Sequence, residues 1–138
     1  MDEKELAINK LKESDYSLIV VKEKEVKYKS KEESVGSIVS LLDERPELLK
    51  DSVVADKIIG RAVAMVCDYA SVKFCYGQIV SEGALDVFHR NNIPYETAKV
   101  VKAIKNRDNT DLCPIEKLTL NVTDSAEGIK KIKEFLKN

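Results

Sequence analysis

Asp56, Lys57, Ser81, Glu82, Asn106, Arg107, Cys113 and Glu116 are the residues whose types and neighbours could support chemistry. Asp56-Lys57 stands where the β-branched pair Val53-Val54 gives way to the small residues Gly60, Ala62 and Ala64. That change predicts a strand edge feeding a closely packed helix, with Asp56 and Lys57 at the turn that opens it. An acid suits a helix N-terminus, where N–H groups lack partners; a lysine there runs against the dipole. The simpler reading makes Asp56 an N-cap and leaves Lys57 in water. Ser81-Glu82 opens a second helix. A helix N-terminus can hold an anion, and Lys57 would add a charge. Gly60 joins the ligand-binding set because a residue without a side chain admits a close approach.

Asn106-Arg107 offers a fork of donors for a carboxylate or phosphate, or else a loop locked by its own turns. Cys113, before Pro114, is the candidate nucleophile. A thiol at a helix N-terminus beside Arg107 would have a lowered pKa, with Glu116 one turn on as base or cap. The alternative is a thiol that fills space. Cys113 and Lys57 are therefore the candidate catalytic pair, and whether this is an enzyme stays open. Cys67 and Cys75 lie among apolar neighbours and read as core. His89 reads as a surface residue.

These residues need elements to hold them. A chain of 138 residues fits one domain, 1–138, with a real core. Its 34% charged residues cancel to a net charge of -1, which lacks the basic footprint of a nucleic-acid binder. No apolar run reaches the length of a membrane span, and the charged start MDEKELAINKL is unlike a signal peptide. A cytoplasmic protein is expected, and three cysteines at no metal-like spacing suit reduced thiols. The expected partner is a small molecule, with no nucleic acid, no membrane and no cofactor; a homodimer is left open.

Periodicity predicts a modest amphipathic helix over Glu3–Glu13 and a hairpin over Tyr16–Lys31 with its lysine-rich strand at a sheet edge. A helix capped by Ser34 ends at Arg45-Pro46. The Asp56–Ala70 helix precedes a strand over Val72–Val80 and a helix from Ser81 to Asn91-Asn92. A short strand is expected near Tyr95, with the rest of 96–105 undecided between helix and strand. Asn106–Asp111 is a polar loop. Pro114 suits a first helical position. Asp124 with Glu127 forms a capping box for a last helix burying Ile129, Ile132, Phe135 and Leu136. Strands flanked by helices throughout imply a three-layer α/β/α domain on a mixed sheet.

This order of elements resembles the cytidine-deaminase-like fold. DKIIGRAVA, SEGAL at Ser81–Leu85, NRDNT at Asn106–Thr110 and CPIEKL at Cys113–Leu118 look like a small prokaryotic domain-of-unknown-function family of that fold with no established reaction. The resemblance spans about Tyr16 to Leu118. It implies that the Asp56-Lys57 and Ser81-Glu82 turns share one cleft, where deaminases carry His-x-Glu and Pro-Cys-x-x-Cys around zinc. Two helix N-termini there would make an anion site, with Lys57 adding a charge and Asp56 and Glu82 holding ribose-like hydroxyls or orienting Lys57; otherwise Lys57 is salt-bridged between two caps. Neither motif is present, so no metal is expected and the deaminase reaction is disfavoured. The leading expectation is a pocket for a nucleotide-like or other small anionic metabolite. The alternatives are a non-catalytic sensing or scaffold domain, or a metal-free thiol-dependent enzyme using Cys113.

Overall fold

The computed structural model describes residues 2–32, 35–105 and 113–137. Helix α1 (Glu3–Glu13) leads to a hairpin of β1 (Leu18–Lys22) and β2 (Glu25–Ser30), then α2 (Gly36–Glu44) and a 3₁₀ turn at Pro46–Leu48. Two strand–helix units follow: β3 (Val53–Ile59) with α3 (Arg61–Tyr69), and β4 (Phe74–Ser81) with α4 (Glu82–Arg90). β5 (Tyr95–Val101), α5 (Pro114–Thr119) and α6 (Ser125–Lys137) complete the described chain. Among the described residues no helix is long and apolar enough to cross a membrane.

The sheet is mixed, in the order β2-β1-β3-β4-β5. β1 runs antiparallel to both of its neighbours, and β3, β4 and β5 are parallel. Each face has its own core. Ala7, Ile8 and Leu11 of α1 cover Ile19, Val21, Val53, Ala55 and Tyr76. On the other face Leu18, Val20, Val54 and Cys75 meet Ile38 and Leu42 of α2, Met65 and Val66 of α3, Phe88 of α4, and Ile129 and Ile132 of α6. Among the described residues, one helix below the sheet and five beside or above it explain the patterns in the sequence. α1 buries a narrow stripe, whereas α3, pressed between sheet and α6, is buried from Arg61 to Cys67.

The structure departs from the sequence reading in three places. The helix expected from Asp56 starts five residues later. The undecided stretch after Tyr95 is strand as far as Val101, because β4 offers it a parallel ladder from Cys75 to Ser81. Phe135 and Leu136, expected in the core, are 42% and 41% exposed, since the last turn of α6 extends past the body it packs on. Ser34, the expected cap of α2, lies outside the described residues.

α3 and α4 end alike. After α3, Ser71 N–H donates to Asp68 O (3.2 Å) and Val72 N–H to Cys67 O (3.0 Å). After α4, Ile93 N–H donates to Phe88 O (2.9 Å). These are Schellman closures, whose left-handed position favours glycine. Here it holds Ser71 (φ 61°) and Asn92 (φ 55°). Asparagine tolerates that conformation and serine does so less well. Ser71→Gly should therefore stabilise the protein by about 0.5–1 kcal/mol, read as a higher midpoint in chemical denaturation, and Asn92→Gly should gain less. A lower midpoint for Ser71→Gly would show that the serine side chain outweighs its backbone strain.

Candidate functional site

Asp56 and Lys57 lie inside β3, not at a helix start. Asp56 sits opposite Leu18 of β1 and Gly77 of β4. A strand paired on both sides stays extended as far as both ladders reach, and this outweighs a local acid-cap signal. Gly60 takes the N-cap position, extended at φ -93° and ψ -178°, and α3 begins at Arg61.

A glycine N-cap has no side chain to offer the first N–H groups of the helix. Glu116 of α5 supplies one from 55 residues away: its Oε1 accepts from Arg61 N–H at 2.6 Å. The approach is so close that a Cβ on Gly60 would lie 2.6 Å from the same oxygen and 3.3 Å from Ile104 Cγ1. Glu116 is buried. A carboxylate thus occupies the positive end of α3, where an anionic ligand would otherwise bind.

The side chain of Arg61 then runs beneath the start of α4. Its Nη1 donates to Gly83 O (3.0 Å) and to Asp86 Oδ2 (2.9 Å). Its Nε and Nη2 both donate to Val122 O, at 3.1 and 2.5 Å. Only 5% of this residue is exposed. Asp86 is shared with Arg90 at 3.0 Å, and the two guanidinium groups, Arg61 first, hold its carboxyl below the ordinary carboxylate range. A Cβ on Gly83 would touch Arg61 Cβ at 3.4 Å, so the starts of α3 and α4 lie side by side.

The other candidates fall into place around this junction. Ser81 is buried and caps α4, its Oγ accepting from Ala84 N–H at 3.1 Å. Glu82 is exposed at the first position of that helix. Cys113 is half-buried at the N-cap of α5, its N–H donating to Ile104 O at 2.9 Å. Gly60, Cys113 and Glu116 therefore come together around Ile104, and Ser81 adjoins them through Gly83 and Arg61. Asn106 and Arg107 lie outside the described residues. Lys57 is half-buried, its N–H bonded to Ser17 O at 3.0 Å. Lys31 chiefly, and Lys57 to a smaller degree, lower the carboxyl of Asp15. His89 is exposed and meets Tyr95 Oη at 3.0 Å. Cys67 and Cys75 are both buried, and the neighbouring Cys75 thiol together with burial pushes the Cys67 thiol well up. Among the described residues no group of three or more His, Cys, Asp or Glu could hold a metal ion.

Arg61 and Asp86 were not singled out in the sequence. The available signal was a lone charge directly after Gly60, at the head of an otherwise apolar run, which in a buried helix demands partners.

Asp56 is the perturbed acid of the set. It is half-buried and its Oδ1 accepts from Ile58 N–H at 3.2 Å. Desolvation dominates and lifts its pKa from 3.8 to about 7. The folded protein therefore keeps a proton on Asp56 across an interval in which the unfolded chain has lost it. Stability from this group is greatest below pH 3.8 and falls as pH rises to about 7. Asp56→Asn should flatten that decline. Denaturant midpoints measured from pH 4 to 8 on both proteins test this, and parallel pH profiles would show a carboxyl charged throughout.

The closed junction makes its own prediction. Gly60→Leu should destabilise by about 1–3 kcal/mol through overpacking against Glu116, and leucine is also the poorer N-cap residue. Glu116→Ala should cost about 1–3 kcal/mol by leaving the buried Arg61 N–H without a partner. Unfolding midpoints unchanged in both variants would show that the contact carries no stability.

A family model described as "TM1506: Domain of unknown function (DUF1893)" matches residues 6–136. The crystal structure of a DUF1893 family protein (TM1506) from Thermotoga maritima at 2.70 Å resolution is similar at a TM-score of 0.87. That likeness covers 94% of this chain and 87% of the other at 22% identity, which makes it a likeness of fold. No curated protein matches the sequence. Since the family match runs from within α1 to within the last turn of α6, the chain belongs to the DUF1893 family, whose function is unknown.

Proposed function

We propose that this domain is a non-catalytic scaffold of cytidine-deaminase-like fold whose crevice at two helix N-termini is closed by the chain's own side chains. The observation that carries this reading is the Glu116 carboxylate on the first N–H of α3. An anionic ligand would have to displace a buried charge that is already hydrogen-bonded. The order helix, hairpin, helix, strand–helix, strand–helix, strand supports the deaminase-like reading of the fold. Arg61 supports the scaffold role, because four of its hydrogen bonds go to the chain itself and leave little of the fork for a ligand. Cys113 serves packing on this reading, since its nearest candidate base, Glu116, is committed to Arg61.

A second reading has one observation in its favour. Asp56 is a carboxyl lifted to about 7, the kind of perturbed acid that accompanies ligand sites. A small anionic metabolite would then enter beside β3, with Lys57 as its counter-charge and Asp56 as a proton-bearing donor. Thermal unfolding with CMP, AMP and inorganic phosphate separates the two. The scaffold reading expects no saturable rise in midpoint for the wild type. A saturable rise that Asp56→Asn and Lys57→Ala abolish would overturn it in favour of the pocket.

A further inference from the structure

The opposite end of the sheet, where β3, β4 and β5 begin and α3 and α4 end, holds a cavity of about 310 Å³. This is the lower end of the size range of small-molecule sites. Three chain connections wall it, and each presents a non-glycine residue in the left-handed region: Asp51 (φ 58°), Ser71 (φ 61°) and Asn92 (φ 55°). The other two such residues in the described chain, Glu23 and Lys24, are explained by the hairpin turn between β1 and β2. At the helix ends glycine would relieve the backbone, yet residues with side chains able to hydrogen-bond line the cavity instead. Asp51 N–H also donates to Ser71 O at 2.9 Å, which ties two of these walls together.

The lining has a sign. Asp51 and Asp68 bring two carboxylates, and the Asp68 Oδ2 accepts from Ser125 Oγ at 2.6 Å. The cation in the lining, Lys73, has its ammonium bonded to Glu3 of α1. The C-terminal ends of α3 and α4 add the negative poles of two helix dipoles. Behind the wall, between Asp51 and the start of β3, Ser52 is fully buried. Its carbonyl accepts from Lys73 N–H at 2.8 Å, and its hydroxyl has no hydrogen-bond partner among the described residues. A buried hydroxyl without a partner is costly, but this one lies outside the cavity lining and takes no part in the site.

We propose that this cavity binds a small organic cation, a primary amine with further hydrogen-bond donors, between Asp51, Asp68 and Ser71. The ammonium takes the carboxylates, at the negative ends of two helix dipoles. Its other donors reach Ser71 and Asn92. The site is separate from the junction at Gly60 and Glu116, so it stands whether that junction is a scaffold or a pocket.

Titration of the full chain with putrescine, agmatine and ethanolamine, followed by amide chemical shifts and calorimetry, tests the proposal, with glycerol as an uncharged control. The expected result is saturable binding of at least one amine, with shifts confined to residues 51–52, 67–73 and 91–94, and none with glycerol. Asp51→Asn removes one charge while keeping a residue suited to the left-handed region, and should weaken binding about tenfold. Ser71→Gly relaxes the backbone and removes the hydroxyl, and should weaken it while raising stability. No saturable binding up to millimolar amine, shifts scattered over the surface lysines and acids, or affinity indifferent to Asp51→Asn would each overturn the assignment.

Discussion

The rest of the molecule is arranged around one buried guanidinium. An arginine at the first position of a helix faces the positive end of the dipole, and an arginine 5% exposed has lost nearly all of its water. Both penalties must be offset by partners from outside α3. They come from three directions: Gly83 O and Asp86 on α4, Val122 O between α5 and α6, and the Glu116 carboxylate on the adjoining N–H. Removing any one of them leaves a desolvated donor behind, so these contacts behave as a unit rather than as separate bonds. The glycines nearby follow from the same constraint. A side chain on Gly60 would displace Glu116, and one on Gly83 would press on the Arg61 stem.

Most elements were legible in the sequence because they are decided by local pattern. α1 repeats apolar residues on one face, β1 is continuously apolar, and the Pro46 and Pro114 signals mark a helix end and a helix start. Of the candidate site, the helix start at Ser81 was foreseen. The position of Asp56 was not. Its local context, an acid before a Gly/Ala-rich run, matches an N-cap, while its true state depends on ladders to β1 and β4 that lie far off in sequence. Arg61 was missed for a related reason. A buried charge is explained by partners 22, 25 and 61 residues away, and no spacing rule connects them.

The two ends of the sheet solve opposite electrostatic problems. At the carboxyl ends of β3 and β4 the helices present N–H groups, and the chain fills that space with a carboxylate and a well-bonded guanidinium. At the other end the same helices present carbonyls, and the chain places Asp51 and Asp68 there, with Lys73 drawn away towards Glu3. Like signs thus gather where helix C-termini already point. One end is neutralised from within and the other is not, although the same two helices build both.

The distance along the chain of the Arg61 contacts also constrains how the domain holds together. β3, α3, β4 and α4 form a contiguous unit whose own residues supply only Gly83 and Asp86 to the guanidinium. The remaining acceptors arrive with α5 and with Val122, the residue before the last helix, after a long loop-closure cost has been met. Without that docking, the guanidinium keeps its bonds to Gly83 and Asp86 and lacks the acceptor at Val122. α6 reinforces the dependence, because Ser125 bonds Asp68 at the far end of α3 while Gly128 packs on Met65 so closely that a Cβ would fall 2.3 Å from its sulfur. A short α5 and a terminal helix with two exposed apolar residues would ordinarily be the first parts to fray. Here they hold both ends of α3, which ties them to the centre of the sheet.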